Sequence, residues 1–555
     1  METTTVGEGV GEKKPKGEQE SPPMWTVWTA GSYAVVMLLI GLPLWWKTTA
    51  VQRVPLPYSD MASLRGHLES SFLIKIPVHL VGFAKVSPND DNKFHNIEGH
   101  SFSISYAQTS SLEMDAIYKS SNLYDVDKEM CKLAKKNSNS SAHPVTIYYV
   151  GRSDLLIEYG QKVIFGNCKS LYYISNSSKI RFDTVWNVLR KIAGFGQIDG
   201  GWELTDPNNP RSSSVKESLQ LPLSSGYNIL LSLLVPEPEV LESKWEIEPA
   251  VTDFLNPMLK KISAFAEFSV RSQVLSYIRL NVYPKWNADK NYHEIPYEQL
   301  PLVINPVESK LTSFVSQNPV LNFLTYTAPC NKVPLQILEN DGTPLASNAF
   351  LVPQWGGIFI YNPPCTTGEN STELKIHQVS TEHVMSVVIS QFRSLIGLPE
   401  KSSIDVLDFR GSALRDWEVD MLIRRRLTKL IVTAANTLHS LGQLLDEITN
   451  IVVTEEVGDQ VEKSVAAIKA AIEEASQGNL EAAQGHAIEA FKSSEIAFHH
   501  PKNLKQLYFP DDQKYAIYIP LFLPVGIPVL LSLRGIFQRL LTIWKSAHQL
   551  KPKTD

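Results

Sequence analysis

The chain has 555 residues with 52 basic and 58 acidic side chains, so its formal net charge at pH 7 is −6. This mildly acidic balance argues against a nucleic-acid-binding protein, which needs a concentrated basic surface. The four cysteines are too few for a disulfide-rich scaffold, and the length leaves room for more than one domain.

Two long apolar segments lie near the two ends of the chain. Residues Trp25 to Trp46 and Tyr515 to Leu533 contain no charged side chain, and each could cross a hydrocarbon core about 30 Å thick as an α-helix. The pattern therefore predicts transmembrane helices at 25–46 and 515–533. A cleaved signal peptide and a buried core helix are the alternatives. The length of the first segment argues against a signal peptide, and the interior prolines of the second argue against a core helix.

The two tails predict the orientation of the chain in the membrane. The C-terminal tail, 534–555, contains a single acidic residue and the basic residues Arg534, Arg539, Lys545, Lys551 and Lys553. The positive-inside rule therefore places this tail in the cytosol, and two spans return the N-terminal tail, 1–24, to the same side. The middle of the chain, 47–514, is then predicted to lie in the lumen. Three acceptor sequences for N-glycosylation in that region agree with this topology: Asn139, Asn176 and Asn370.

Three prolines recur at every fourth position of the second predicted span: Pro520, Pro524 and Pro528. A proline within a helix has no N–H to donate, so the carbonyl four residues earlier loses its usual partner. Because a four-residue step rotates only about 40° around a helix, the three affected carbonyls form a stripe on one face. Hydrocarbon cannot satisfy them. The stripe therefore predicts that this face packs against a protein partner within the membrane.

The first part of the middle region mixes strand-like and helix-like segments. Runs rich in β-branched and aromatic residues predict strands at Leu73–Phe83, Ser101–Ala107, Val145–Val150, Gln161–Phe165, Asn228–Val235, Val274–Val282, Val320–Tyr326 and Phe350–Tyr361. Helical spacing predicts helices at Asp183–Ala193 and Pro249–Phe268. The mixture predicts an α/β or α+β lumenal domain over 47–410, and the length is compatible with one domain or two.

From about Gly411 the pattern becomes helical. Apolar residues from Leu427 to Ile448 alternate between spacings of four and three, which is a heptad seam. Val461–Ile472 and Leu480–Phe491 carry two further apolar stripes. The pattern predicts a lumenal bundle of helices over 411–514.

One concentrated basic cluster, Arg424-Arg425-Arg426, lies on the first of these predicted helices. Three consecutive side chains fan around most of a helix, so they do not form a single binding face. We interpret the cluster as a solvated or ion-paired surface.

The cysteines all lie in the predicted lumenal region, where disulfides can form: Cys131, Cys168, Cys330 and Cys365. Neighbours in sequence would pair Cys131 with Cys168 and Cys330 with Cys365. Four free, buried thiols are the alternative, and the sequence leaves both readings open.

Motifs that would indicate an active site are absent from the sequence. It contains no GxSxG elbow, no HExxH helix, no GxxxxGK phosphate loop and no GxGxxG after a strand. The segment Gly99–Ser103 approaches a nucleophile elbow but ends in serine where the second glycine is required. The sequence therefore predicts no catalytic residue, no metal site and no cofactor in this chain.

Several segments together resemble one known family. These segments are Leu221–Tyr227, Trp245–Glu248, Ala264–Val270, Val303–Ser309, Trp355–Ile358 and Leu507–Pro524. They are similar to the phosphatidylinositol-glycan class S proteins, and the resemblance extends over nearly the whole chain, including the two predicted spans.

The resemblance implies a subunit of the glycosylphosphatidylinositol (GPI) transamidase of the endoplasmic reticulum membrane. In that complex a separate caspase-like subunit performs the chemistry through a cysteine nucleophile. The expected partners are therefore the other transamidase subunits, the membrane, and the GPI lipid with its precursor protein. The expected role is to scaffold the complex and position its substrates. A stand-alone membrane-anchored lumenal enzyme, or a receptor or tether of the secretory pathway, is the alternative.

Overall fold

The computed structural model describes residues 24–41, 43–44, 47, 53–84, 100–136, 144–193, 221–311, 318–365, 375–398, 413–448, 451, 453–501 and 511–549. The chain divides into two compact units. The smaller unit contains Met1–Leu56, Gln443–Asp459 and Ala497–Asp555, and its first helix is α1 (Met24–Val36), which continues as a π-helical turn, Met37–Gly41. The larger unit contains Pro57–Gly442 and Gln460–Ile496 and begins with α2 (Tyr58–Ser71).

A five-stranded sheet forms the first half of the larger unit. Its strands are β1 (Ile74–Val81), β2 (His100–Ala107), β3 (Val145–Val150), β4 (Lys162–Phe165) and β5 (Ser170–Ile174). They lie in the order β2-β1-β3-β5-β4, and every neighbouring pair is parallel except β4 with β5. The strands are rich in valine, isoleucine and tyrosine because both faces of the sheet are covered.

Helices cover both faces of this first sheet. The helices are α3 (Ser111–Lys119), α4 (Leu123–Lys136), α5 (Ser153–Tyr159) and α6 (Phe182–Ala193). On one face Ile117, Val126 and Leu155 pack with the strands. On the other face Val185 and Leu189 of α6 do so. The first half is therefore a doubly wound α/β layer.

The second half of the larger unit contains a second five-stranded sheet and two small ones. In chain order the strands are β6 (Gly226–Val235), β7 (Leu241–Lys244), β8 (Glu267–Ser276), β9 (Lys285–Asn287), β10 (Tyr292–Ile295), β11 (Val320–Thr327), β12 (Leu335–Ile337), β13 (Ala349–Val352), β14 (Gly356–Tyr361) and β15 (Lys375–Gln378). The helices between and after them are α7 (Ile247–Ala250), α8 (Asn256–Lys261), α9 (Leu300–Glu308) and α10 (Thr381–Leu395). The order in the large sheet is β13-β14-β11-β6-β8, while β12-β10-β9 and β15-β7 form the small sheets.

The two large sheets share one topology. In each, the four parallel strands lie in the order second, first, third, fourth, as β2-β1-β3-β5 and as β8-β6-β11-β14. In each, an antiparallel edge strand, β4 or β13, pairs with the fourth strand and directly precedes it in the chain. The mixed α/β architecture predicted from the sequence is confirmed, and it consists of two similar sheets within one compact unit.

Three predictions in this region are wrong in detail, the first being the predicted strand Val274–Val282, which shares only Val274–Ser276 with β8. The predicted helix Pro249–Phe268 ends in the structure with α8, and the chain then enters β8 at Glu267. The apolar residues Phe265 and Ala266 continued the helical spacing, but they pack on the sheet core from a turn. The predicted strand Phe350–Tyr361 is the hairpin β13–β14, whose turn contains Gln354 at φ 59°. Apolar residues on both sides of that turn concealed it.

Helix α11 (Asp416–Glu447) joins the cores of both large sheets. Trp417 packs into the core of the first sheet, 5.1 Å from the Phe165 ring. One turn later, Met421 and Leu422 pack into the core of the second sheet. The first two turns of α11 are therefore a shared part of both hydrophobic cores.

The arginine cluster on α11 is not a solvated surface, so that interpretation is wrong. Arg424 and Arg426 are 3% and 7% exposed. Three backbone carbonyls at the ends of other segments accept hydrogen bonds from the cluster: Ile192 from Arg424, Gly397 from Arg425 and Ser224 from Arg426. The guanidinium groups fan out around the helix as expected, but each meets a different neighbouring segment, which the sequence does not reveal.

The chain ends in helices α12 (Glu455–Gln477), α13 (Leu480–Phe498) and α14 (Asp511–Gln549), so the predicted helical C-terminal region is confirmed. By length and composition, one of the described helical segments, Phe522–Lys545 within α14, is able to cross a membrane. It overlaps the predicted span 515–533 and extends beyond it. The described apolar segment near the N-terminus, Gly31–Gly41, is shorter than a span.

Candidate functional site

The carboxyl ends of the parallel strands of the second large sheet meet at one edge. The first strand of this sheet, β6, has β8 on one side and β11 on the other, so the connections to its two neighbours leave in opposite directions. In open α/β sheets such a reversal opens a crevice outside the carboxyl ends, and ligands bind there. The fold itself therefore favours a binding site at this edge.

Two cavities lie at this edge. The smaller one, between β6 and β11, has a volume of about 10 Å³ and is lined in part by Thr327 and Cys330. It holds no more than a water molecule. The larger one lies over the ends of β6 and β8 and has a volume of about 550 Å³, which is in the range of small-molecule sites. We term it the carboxyl-edge cavity. Its lining includes Glu239, Glu242, Ser243, Lys244, Trp245 and Tyr277.

Ser243 is the most enclosed polar side chain of this cavity. It lies in β7, is 3% exposed, and its Oγ has no hydrogen-bond partner among the residues that the structure describes. The parallel pairing of β7 with β15 places Ser243 opposite His377. A buried hydroxyl left without a partner costs about 1 to 3 kcal/mol. The Oγ atom is itself buried, so this hydroxyl does not open onto the cavity.

Tyr277 stands at the end of β8 in a backbone conformation that tyrosine rarely adopts. Its φ is 62°, and its backbone N–H is held by a 2.8 Å hydrogen bond to the carbonyl of Val235. Left-handed conformations of bulky residues persist where the surroundings impose them, and they cluster at functional sites. The side chain is 62% exposed. A hydrogen bond from the Tyr277 hydroxyl to Glu239 raises the pKa of this tyrosine.

Acidic side chains outnumber basic ones around the cavity. Glu242 pairs with Lys244 at 2.9 Å, and Glu237 pairs with Arg279 at 3.2 Å. Glu239 belongs to neither pair and instead accepts the hydrogen bond from Tyr277. The cavity therefore combines an aromatic lining with an excess of hydrogen-bond acceptors.

A second polar cluster lies at the carboxyl end of β14. The Tyr361 hydroxyl is 3.2 Å from Nε2 of His377, and the Tyr361 ring lies 6.4 Å from that of His383. Burial lowers the pKa of His377, so its imidazole is neutral at neutral pH. Within the described ranges no group of three or more His, Cys, Asp or Glu side chains is arranged to hold a metal ion.

The four cysteines form two disulfides in the structure. Cys131 is bonded to Cys168, which ties α4 to the β4–β5 hairpin. Cys330 is bonded to Cys365, which ties the segment after β11 to the segment after β14. The second disulfide therefore closes the carboxyl edge of the second sheet, next to the small cavity.

The predicted glycosylation sites are only partly within the described residues. Asn176 follows β5 in a bend and is exposed, so its side chain is accessible to a glycosyltransferase. Asn139 and Asn370 lie outside the described residues.

All three predicted packing prolines lie inside α14 and are exposed: Pro520, Pro524 and Pro528. Within the smaller unit α1 packs against α14, and Ala34 of α1 is 2% exposed. On α14 the half-buried residues include Val529, Leu533 and Ile536. Helical geometry separates these residues from the prolines by about 150° around α14. The proline face and the half-buried face therefore point in nearly opposite directions.

The sequence did not reveal the residues of the carboxyl-edge cavity as a site. Ser243, Trp245 and Tyr277 belong to no reactive motif, and they come together only when β7 folds over the ends of β6 and β8. One signal was available, because Trp245 begins a segment that carried the family resemblance. Asp127 was also missed. It is 1% exposed, accepts hydrogen bonds from the Tyr172 hydroxyl and the Asn167 N–H, and has its pKa raised to about 6 by burial.

These features define a class of protein: a two-sheet α/β body with a C-terminal helical region and an apolar, membrane-length helix. A sequence model described as phosphatidylinositol-glycan biosynthesis class S protein matches residues 32–542. The chain is 35% identical to the GPI-anchor transamidase component PIGS of Mus musculus, over 93% of this chain and 96% of that protein. It is 34% identical to the protein of the same name from Bos taurus, over 94% and 96%. It is 26% identical to the GPI transamidase component PIG-S homolog of Schizosaccharomyces pombe, over 90% and 81%. The chain therefore belongs to the phosphatidylinositol-glycan biosynthesis class S family.

Proposed function

We propose that this chain is a non-catalytic component of the GPI transamidase complex in the endoplasmic reticulum membrane. The observation that carries the proposal is the family match over residues 32–542, together with relatives that are named as transamidase components and are matched over most of their length. In this role the chain supports the attachment of GPI anchors by holding other subunits and positioning the precursor protein and the lipid.

The state of the cysteines supports a non-catalytic role. The resemblance assigns the reaction to a separate caspase-like subunit, whose nucleophile is a cysteine thiolate. In this chain all four cysteines are bonded in disulfides, so none of them offers a thiolate. The caspase-like subunit is therefore a partner of this chain in the proposed complex.

The proposed topology has two spans, with the bulk of the chain in the lumen and both termini in the cytosol. The apolar segment Phe522–Lys545 supports the second span. The charge-free run from Trp25 to Trp46 supports the first. A lumenal body also agrees with the two disulfides, which form in the oxidising secretory pathway.

The proline face of α14 is proposed to contact a helix of another subunit. Pro520, Pro524 and Pro528 remove the donors for three carbonyls on one side of the helix, and α1 does not supply replacements because the half-buried face lies on the other side. A neighbouring helix with hydroxyl or amide side chains can hydrogen-bond these carbonyls inside the bilayer.

Deleting this chain from cells tests the proposal. We expect anchored proteins to be lost from the cell surface while GPI lipids are still made, and the chain to co-purify with a caspase-like subunit. Normal surface display, or a chain that purifies alone from mild detergent, would contradict the transamidase role. A stand-alone enzyme would instead show activity in the isolated lumenal region, and a receptor or tether would leave anchor attachment intact.

A further inference from the structure

The carboxyl-edge cavity has the composition of a binding site for a positively charged amine. Trp245 and Tyr277 contribute aromatic rings, and Glu239 contributes a carboxylate. Aromatic faces attract cations, most strongly where water is excluded. An ammonium group also donates up to three hydrogen bonds, which matches a lining with more acceptors than donors.

We propose that this cavity binds the alkylammonium end of an amine-bearing headgroup. The ammonium lies between Glu239 and the Tyr277 ring. A volume of about 550 Å³ exceeds that of an ammonium group alone, so the remainder accommodates the polar headgroup to which it is attached. Lys244 is paired with Glu242, which leaves the carboxylate of Glu239 to face the ligand.

One feature of the structure supports a site that is prepared before the ligand arrives. Tyr277 is held at φ 62° by the backbone of β6 while its ring remains 62% exposed. Such a conformation is retained where the position of the side chain matters.

The binding site is inferred from the cavity itself, whereas a role of this site in anchor attachment rests on the proposed function. In a transamidase, the peptide is transferred to the amine of the anchor. A subunit that holds an amine-bearing headgroup would raise the local concentration of the acceptor near the complex. The experiment therefore measures binding to the purified chain and does not depend on assembly or on transamidase activity.

The probe is glycerophosphoethanolamine, added to the full-length chain in detergent and followed by saturation-transfer NMR and calorimetry. We expect saturable binding, with glycerol 3-phosphate unable to compete because it has no amine. Glu239→Gln and Tyr277→Ala should each weaken binding about tenfold. The matched controls Glu298→Gln and Tyr283→Ala change exposed residues outside the cavity lining and should bind normally.

Tyr277→Phe retains the ring if the alanine variant does not fold. Equal affinity in the wild type and all cavity variants would overturn the proposal, as would competition by glycerol 3-phosphate. Normal binding combined with intact anchor attachment in cells lacking the chain would contradict the proposed function and leave the site standing.

Discussion

Arg393 of α10 forms a two-pronged ion pair with Glu418 of α11. Nη2 and Nη1 of Arg393 donate to the two carboxylate oxygens at 2.7 and 3.2 Å, and the side chains are 8% and 2% exposed. Glu418 also accepts from the backbone N–H of Arg415 at 2.8 Å and pairs with the Arg415 guanidinium at 3.4 Å. One carboxylate therefore neutralises two buried cations where α11 enters the cores of both sheets.

Replacing Glu418 should be strongly destabilising. Glu418→Ala leaves the buried charges of Arg393 and Arg415 without their carboxylate, and breaking a buried pair from one side costs about 3 to 5 kcal/mol. Chemical unfolding followed by tryptophan fluorescence measures the loss. The control is Glu489→Ala, which breaks the exposed pair between Glu489 and Lys463 and should cost less than about 1 kcal/mol. Equal effects of the two substitutions would show that burial of the Glu418 pair has no energetic consequence.

Asp127 should make the larger unit less stable as the pH rises from about 4 to about 6. Burial raises its pKa from 3.8 to about 6 in the folded chain, so the folded state binds more protons than the unfolded state between these values. Stability from this group is therefore fully present below its unfolded pKa and is lost as pH rises through its folded pKa. The rise in the pKa of Asp127 on folding corresponds to about 3 kcal/mol of unfolding free energy.

Urea unfolding of the wild type and of Asp127→Asn at pH 4, 5, 6 and 7 tests this dependence. The amide keeps one acceptor oxygen, enough for the Tyr172 hydroxyl or the Asn167 N–H, and it does not ionise, so the variant should lose this part of the pH dependence. Glu129→Gln, on the exposed side of the same helix, is the control. Parallel pH profiles for wild type and Asp127→Asn would refute the assignment of the raised pKa.

The proline face of α14 should matter for assembly and not for membrane insertion. Replacing Pro520, Pro524 and Pro528 by leucine restores the helical N–H donors and makes the segment more apolar. We therefore expect insertion to improve while co-purification of partner subunits falls several-fold. Leu523→Ile with Leu530→Ile changes exposed side chains of the same helix without affecting its carbonyls, and it should assemble normally. Unchanged recovery of partner subunits with the triple variant would show that the proline face has no role in assembly.

The lumenal location of the body predicts sugar on its acceptor asparagines. Asn176 is exposed in a bend, and accessible sequons in the lumen are modified during translocation. Asn176→Gln and Asn370→Gln should each abolish one glycosidase-sensitive shift in mobility, and Asn139→Gln tests the third site. The control, Asn256→Gln, alters an asparagine that is not followed by the acceptor sequence. A chain from microsomes with no glycosidase-sensitive sites at all would contradict the proposed topology.

Local patterns located many of the elements. The predicted strand Val145–Val150 is β3 with the same bounds, and the heptad seam from Leu427 falls within α11. These patterns succeed because side chains a few residues apart lie on one face of the same helix or strand. The spacing of apolar residues over a short stretch of sequence therefore indicates which face is buried. The predicted strand Val274–Val282 shares only Val274–Ser276 with β8 and misses the first seven residues of that strand. That strand lies at a sheet edge and is mostly exposed, so it lacks the apolar signal of Val274–Val282.

The sequence by itself determined the alternation of strands and helices, the apolar C-terminal segment, the positions of the prolines and the membership of the family. Only the tertiary structure decided the shared strand order of the two sheets, the burial of Arg424, and the meeting of Ser243, Trp245 and Tyr277 in one cavity. The physical reason is that helix and strand formation depends on neighbours in sequence. Strand order depends on which distant segments pair and on which face each connection crosses, and this arrangement leaves no periodic trace in the chain.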